Sequence, residues 1–73
     1  MKHKIFEISW KGLRVSCIYF HNDTVNPYRL YLHMMKRHEK GYYTDSKKQI
    51  AKYSDIQSVL YHVYTLSLNL PHN

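Results

Sequence analysis

A regular alternation of apolar and polar residues on both sides of Lys11 and Gly12 constrains this fold more than any other feature. A two-residue loop at Lys11 and Gly12 places a glycine where a tight hairpin needs positive φ. This loop pairs Trp10 with Leu13 and brings all the apolar residues to one face. They are Phe6, Ile8, Trp10, Leu13, Val15 and Cys17. Residues 1–20 are therefore predicted to form a β-hairpin with one core-facing side.

The C-terminal part of the chain has the spacing of an amphipathic helix. Its apolar residues recur three or four positions apart, as they do on one side of a helix. They are Ile56, Val59, Leu60, Val63 and Leu66. Ser54 or Asp55 can cap the first turn, and Pro71 is expected to end the helix.

Residues 27–40 fit two structures. As a strand, they would place apolar side chains inward, with a three-residue loop after it that has glycine at its left-handed position, Gly41. A return strand would start at Tyr42 and end near Tyr53, with Leu30 opposite Ile50. The inward set is Tyr28, Leu30, Leu32 and Met34, and the outward set is Arg29, Tyr31, His33 and Arg37.

As a helix, the same residues would have Asn26 as N-cap, Pro27 as the first helical residue and Gly41 just past the end. We favour the strand, because a terminal helix needs a wide sheet beneath its apolar face. The predicted fold is α+β, a small antiparallel ββββ meander covered by one C-terminal helix. The alternative is ββαβα, with residues 27–40 helical.

Size and composition limit the class of protein. Seventy-three residues form one small domain, residues 1–73, with a modest core. The single cysteine, Cys17, excludes an internal disulfide framework and fits a reducing compartment. We find neither a signal-peptide pattern nor an apolar stretch of transmembrane length. We expect a soluble cytoplasmic protein that does not bind membranes.

The positive charge of the chain is concentrated in residues 27–53, which we call the basic segment. It holds seven of the eleven Lys and Arg residues and two of the five acidic residues, and so carries +5 of the formal net charge of +6. Five of the eight tyrosines lie there as well. A basic, aromatic surface on a small domain indicates a negatively charged partner.

Nucleic acid is the partner class that these residue types fit best. Lys and Arg neutralise phosphates, and tyrosine rings stack on bases. Because the chain has three arginines, we expect phosphate contacts rather than reading of base edges. Arg29 and His33 point outward in both the strand and the helix, so we expect them to be exposed. The candidate contact residues are Arg29, His33, Lys36, Arg37, Lys40, Tyr42, Tyr43, Lys47, Lys48 and Lys52.

Other interpretations of the basic segment stay open. The first is a solvated face whose lysines protect sheet edges. In another, the protein docks on an acidic surface of a protein partner, as a small regulator or inhibitor of the kind that phages and plasmids encode. A helix-turn-helix with its first helix and turn at residues 48–56 fits poorly, because taking Ala51 as its buried small residue puts Tyr61 and Tyr64 where compact apolar residues are needed. Mimicry of DNA needs the opposite sign of charge.

The outer face of the C-terminal helix is polar but uncharged, since residues 56–73 contain no Lys, Arg, Asp or Glu. Interfaces are depleted in charge at their centre and enriched in tyrosine. A small domain also gains apolar burial by pairing with a second copy. We therefore weigh a homodimer against an ordinary solvent-exposed face. The interface candidates are Tyr61, His62, Tyr64 and Thr65.

The sequence lacks motifs for catalysis and for metal or cofactor binding. Cys17 falls on the core-facing side of the hairpin, where burial makes a thiol unreactive. His33 and His38 are five residues apart, which is not the i, i+4 spacing of a helical metal site. No glycine-rich phosphate loop is present. We predict a binding protein rather than an enzyme, with no metal and no cofactor.

Overall fold

The computed structural model describes residues 1–10 and 12–69, and within them every side chain except those of Lys36 and Thr44. This part of the chain forms β1 (Lys2–Trp10), β2 (Leu13–Phe20), β3 (Tyr28–Arg37), β4 (Tyr43–Tyr53) and α1 (Ile56–Leu68). The strands make one antiparallel sheet in the order β1-β2-β3-β4. The predicted α+β meander with a C-terminal helix is confirmed.

The first hairpin has the predicted register. Trp10 pairs with Leu13, and Phe6 pairs with Cys17. Gly12 has φ 86°, the left-handed conformation that a tight hairpin needs, whereas Lys11 lies outside the described residues. The pairing passes from Lys4 directly to Phe6, so that Ile5 is an extra residue in the edge strand β1.

Residues 28–37 form a strand, and the helical alternative for this segment is wrong. Pro27 lies in the loop, where its carbonyl accepts a hydrogen bond of 2.8 Å from the backbone N–H of Phe20. Gly41 has φ 88° and belongs to the predicted three-residue loop. That loop is closed by a 3.0 Å bond from the His38 N–H to the Tyr42 carbonyl. The pattern resembled a helix because a proline before a strand and a glycine after it also mark helix ends.

The predicted pairing of Leu30 with Ile50 is off by one residue, since Leu30 lies opposite Ala51. The next pair is Tyr31 with Gln49, so Ile50 is an extra residue in β4. An extra residue of this kind bends the strand and increases its twist. The sequence pattern does not reveal it, because Ile50 and Ala51 are both apolar and either one suits the core.

The helix begins at Ile56, and its N-cap is Asp55, whose carboxylate accepts a hydrogen bond of 3.1 Å from the backbone N–H of Ser58. Val59 is fully buried, and Ile56, Val63 and Leu66 pack against the core. Leu60 departs from the prediction, because its residue surface is 48% exposed. Pro71, the predicted stop, lies outside the described residues.

The sheet has two different faces. α1 packs against β2, β3 and β4 on one side, which we call the helix face. A small core lies there, centred on Val15, Cys17, Leu30 and Val59. Burial raises the pKa of the Cys17 thiol, as expected for its core-facing position. No described element covers the other side of the sheet, which we call the open face.

Candidate nucleic-acid interface

A network of ion pairs crosses the open face. Arg14 on β2 donates from Nη2 to Glu7 Oε2 at 3.1 Å and from Nη1 to Asp45 Oδ2 at 3.0 Å. Lys4 Nζ donates to Glu7 Oε1 at 3.2 Å. Hydrogen bonds from Lys4 and, to a smaller extent, from Arg14 lower the pKa of Glu7. The hydrogen bond to Glu7 in turn raises the pKa of Arg14. Because Arg14 holds Asp45, this carboxylate is engaged by a cation outside the basic segment.

Arg29 lies on the open face, as predicted, but most of its side chain is buried, and the expectation that it is exposed is wrong. Its Nη2 donates to Asp23 Oδ2 at 3.1 Å, and its guanidinium carbon is 4.0 Å from the centre of the Phe20 ring. Hydrogen bonds from the backbone N–H of Asn26 and, to a smaller extent, from Arg29 lower the pKa of Asp23. Arg29 therefore fastens the loop after β2 to the sheet.

His33 is also on the open face, but its side chain is 10% exposed, which corrects the expectation of a surface histidine. Its Nε2 and the hydroxyl of Ser16 form a hydrogen bond of 2.8 Å. Its Nδ1 is buried without a hydrogen-bond partner, 3.7 Å from Asp45 Oδ1. The His33 ring is buried and bonded to Ser16 on the neighbouring strand β2, so the histidine is not available to a partner.

Ser16, His33 and Asp45 are the residue types of a catalytic triad, and the histidine lies between the other two. Their geometry, however, is that of a structural cluster. Ser16 is 1% exposed, so a substrate could not reach its hydroxyl without a rearrangement of the sheet. The 3.7 Å between His33 and Asp45 exceeds the length of a hydrogen bond. Sequence analysis missed this cluster. Alternation placed each residue on a face, but only the register of β2, β3 and β4 brings the three together.

The far end of the β3–β4 hairpin projects beyond the rest of the sheet. The pairing of β2 with β3 runs from Tyr19–Tyr28 to Val15–Leu32, whereas β3 and β4 remain paired as far as Arg37–Tyr43. We call residues 34–46 the arm. Met34 and Met35 point to opposite sides of the arm and are 52% and 63% exposed. Both sides of the arm are thus open to solvent in the described structure.

The arm and the strand that leads from it carry exposed cations. Among the described residues, none of these side chains makes an ion pair, since Arg14 holds Asp45 and the exposed Glu39 pairs with none of them. They are Arg37, Lys40, Lys47, Lys48 and Lys52. Lys47 Nζ lies 5.3 Å from the centre of the Tyr31 ring. Lys36, another candidate, is opposite Thr44 in the arm, and its side chain is outside the described part.

Tyr42 and Tyr43 are more than half exposed at the end of the arm. The Tyr42 ring stacks on His38, with the ring centres 4.5 Å apart and the planes inclined by 19°. Arg37, His38, Glu39, Lys40 and Tyr42 line a shallow cleft at this end. The candidate residues thus divide into two groups. Arg29 and His33 are largely buried, whereas the arm and β4 present the exposed cations and tyrosines.

The predicted dimer residues are also divided. Tyr61 is 73% exposed, and Tyr64 and Thr65 are exposed beside it. His62 is turned toward the sheet, where its Nδ1 and the Tyr53 hydroxyl form a hydrogen bond of 2.8 Å, so it is not part of the outer face. Leu60 and Leu68 are exposed instead. Sequence analysis missed Leu60 because it assigned this residue to the buried side.

Two kinds of site are not found in the described residues. No group of three or more His, Cys, Asp or Glu residues within ranges 1–10 and 12–69 could hold a metal ion. In the same ranges, no helix is long and apolar enough to cross a membrane. Comparison with known proteins adds no assignment, since no family model, no curated protein and no solved structure matches this chain.

Proposed function

We propose that this protein binds nucleic acid, with the cations of the arm and of β4 on phosphates and with Tyr42 and Tyr43 stacking on bases. The observation that carries the proposal is the set of exposed cations without ion pairs in the described structure, which lies beside two exposed tyrosines. Arg14 is paired with Asp45 and Arg29 is paired with Asp23, so the charge of each carboxylate is balanced and neither one repels a bound phosphate. Lysine and arginine side chains in this state release counterions when they meet phosphates.

The centre of the open face is less suited to base stacking than the arm. The guanidinium of Arg29 covers the Phe20 ring, and the ammonium group of Lys47 lies near the Tyr31 ring. These cation–π contacts occupy ring faces that a base would need. In contrast, the Tyr42 ring has His38 on one side only, and no ring contact engages Tyr43 within the described residues. Stacking is therefore assigned to the end of the arm.

Fluorescence anisotropy with labelled oligonucleotides tests the proposal. We expect binding that weakens log-linearly as salt increases, with a slope that reports the number of phosphates contacted. The double variant Lys47→Gln/Lys48→Gln should bind more weakly, and its salt slope should be smaller by about 1 for each phosphate contact removed. The matched control is Lys2→Gln, which changes an exposed lysine on β1 at the opposite edge of the sheet.

Two results would overturn the proposal. The first is a wild-type protein that binds neither single-stranded nor double-stranded probes at low salt. The second is a loss of binding in Lys2→Gln that is as large, per charge removed, as the loss in Lys47→Gln/Lys48→Gln. Salt-resistant capture of a single acidic protein, unchanged by nuclease, would favour the competing function of a regulator that docks on a protein partner.

We also propose that the protein forms a homodimer through α1. The helix has no charged residue from Ile56 to Leu68, and Leu60, Tyr61, Tyr64 and Leu68 are exposed on it. The rest of the chain is net positive, so two copies repel each other elsewhere. A second copy is therefore the occupant best suited to this uncharged, apolar side of the helix.

A further inference from the structure

The arm extends beyond the part of the sheet in which β2 and β3 are paired. Within the described structure it has no strand on either side after Leu32, and exposed methionines lie on both of its faces. An isolated two-stranded ribbon gains little stability from its own pairing. The exposed surface of the arm combines these methionines with Arg37, Lys40, Tyr42 and Tyr43. The arm thus has the features of a binding element, while the core residues lie elsewhere.

The dimensions of the arm fit the major groove of B-form DNA. That groove is about 12 Å wide and about 8.5 Å deep, and it accepts a two-stranded β-ribbon. The minor groove is about 6 Å wide, so a ribbon enters it only when the duplex is bent or the groove is widened. From Met34 to Arg37 the strand advances about 10 Å, at about 3.4 Å per residue, before the loop adds further reach. The end of the arm can therefore approach the floor of the major groove.

The contacts at the base of the arm fix its direction. Asp45 is held by Arg14 at 3.0 Å, and His33 is held by Ser16 at 2.8 Å. Both bonds tie the β3–β4 hairpin to β2. An element that is already held in one orientation loses less conformational entropy when it binds. These two contacts on the open face therefore hold the arm in one orientation relative to β2.

The charges of the arm match the two sides of a groove. Arg37 and Lys40 lie at its far end, and Lys47 and Lys48 lie just past its base and point to opposite faces of the sheet. The lysines at the base would meet the phosphates that border the groove, whereas Arg37 and the methionines would meet base edges. An arginine recognises guanine at its O6 and N7 atoms, and apolar groups contact the thymine methyl group.

We infer that the arm enters the major groove of double-stranded DNA, where Tyr42 and Tyr43 meet the edges of paired bases, whereas their stacking is confined to the unpaired bases of a single strand. This inference rests on the proposed function and specifies its substrate. A-form RNA has a deep, narrow major groove that excludes a ribbon. The protein should therefore bind a DNA duplex more tightly than an RNA duplex of the same sequence.

The test shortens the arm without changing its register or its faces. Deleting Lys36, Arg37, Tyr43 and Thr44 removes two complete cross-strand pairs and keeps the loop closed by His38 and Tyr42. The full-length control is Lys36→Gln/Arg37→Gln/Tyr43→Ser, which loses the same charges and the same ring. Circular dichroism and thermal unfolding establish that both variants fold, as expected because the buried core lies outside the arm.

We expect the shortened protein to bind duplex DNA about tenfold more weakly than the full-length control, because its shorter ribbon no longer brings the remaining side chains of the arm to the base edges. Both variants should bind the single strand equally. Wild-type protein should also protect guanine N7, which lies in the major groove, from methylation by dimethyl sulfate.

Equal loss of duplex binding in the two variants, or an unprotected guanine N7, would overturn groove insertion while the proposed function stands. Failure of the wild-type protein to bind any of the three nucleic-acid probes would overturn the proposed function and this inference with it.

Discussion

At the scale of single residues, the open face is held together by polar contacts that the basic composition hides. Arg14 joins Glu7 on β1 to Asp45 on β4, and Ser16 holds His33 between them. These groups share one face because of strand pairing, not because of their positions in the sequence. Arg29 and His33 looked most available to a partner in the sequence. In the structure, Arg29 is paired with Asp23 and His33 is bonded to Ser16. The residues that remain available are the cations that form no ion pair among the described residues.

The bond between Ser16 and His33 should contribute measurably to stability. In Ser16→Ala, His33 Nε2 loses its partner while Nδ1 already lacks one. A buried polar group without a hydrogen bond costs about 1–3 kcal/mol. Urea unfolding should therefore show a lower free energy of unfolding for Ser16→Ala. Ser9→Ala, at an exposed position of β1, is the matched control, and equal effects of the two substitutions would contradict the prediction.

Asp23 should make stability depend on pH. The backbone N–H of Asn26 and the guanidinium of Arg29 lower its pKa in the folded state. As pH falls through about 3.9, the unfolded chain takes up a proton before the folded chain does, so the free energy of unfolding decreases. This contribution is fully present above the unfolded pKa and is lost as pH approaches the lower, folded value.

The variant Asp23→Asn keeps an acceptor oxygen but removes the titration. We expect it to be less stable than the wild type at neutral pH, and the difference between the two should shrink as the solution is acidified. Thermal unfolding across this pH range measures the difference. Glu7, whose pKa is also lowered, is present in both proteins and cancels. A difference that is constant with pH would exclude the assigned role of Asp23.

At the scale of elements, α1 and the arm are the two parts whose exposed surface exceeds what the fold needs. The helix buries Val59 and packs Ile56, Val63 and Leu66 against the sheet. Its opposite side presents Tyr61 and apolar neighbours without charge. The arm presents methionines and tyrosines on a ribbon that no other described strand supports. Both features are explained if each element meets a partner, a second copy at α1 and nucleic acid at the arm.

A charge placed on the exposed side of α1 should separate the proposed dimer. Tyr64→Lys would bring two lysines together across a symmetric interface, where like charges are repulsive and desolvated. Light scattering at high micromolar concentration should show a dimer for the wild type and a monomer for Tyr64→Lys. Asn22→Lys, in the exposed loop after β2, adds the same charge away from α1 and should stay dimeric. A monomeric wild-type protein would exclude this interface.

At the scale of the whole molecule, the fold is a slab 15 Å thick along its shortest axis and 42 Å along its longest. One helix and one sheet make up its two layers, which is why only a few residues are completely buried. β3 and β4 are its longest strands, and they remain paired after the pairing of β2 with β3 ends. A small domain with one open face and a projecting basic arm leaves much of its surface available for the binding that we propose.

Much of the fold follows from local patterns in the sequence. Alternation around Gly12 established the first hairpin and its register, and helical spacing with Asp55 as cap established α1. These predictions succeed because turn geometry and side-chain periodicity act over a few neighbouring residues. Residues 27–40 were ambiguous for the same reason, since their local signals alone favour a helix although they also alternate as a strand does. The width of the sheet needed beneath α1 favoured the strand.

Tertiary structure alone decided which of the basic residues remain exposed. The positions of the positive charges were known from the sequence, but their partners were not, because an ion pair such as Arg14 with Asp45 joins strands that are distant in the chain. The extra residues Ile5 and Ile50 and the projection of the arm likewise depend on how strands align with one another. The sequence therefore determined that the protein is basic and how it folds. The register of the sheet determined where that charge is available, because register sets which side chains neutralise each other.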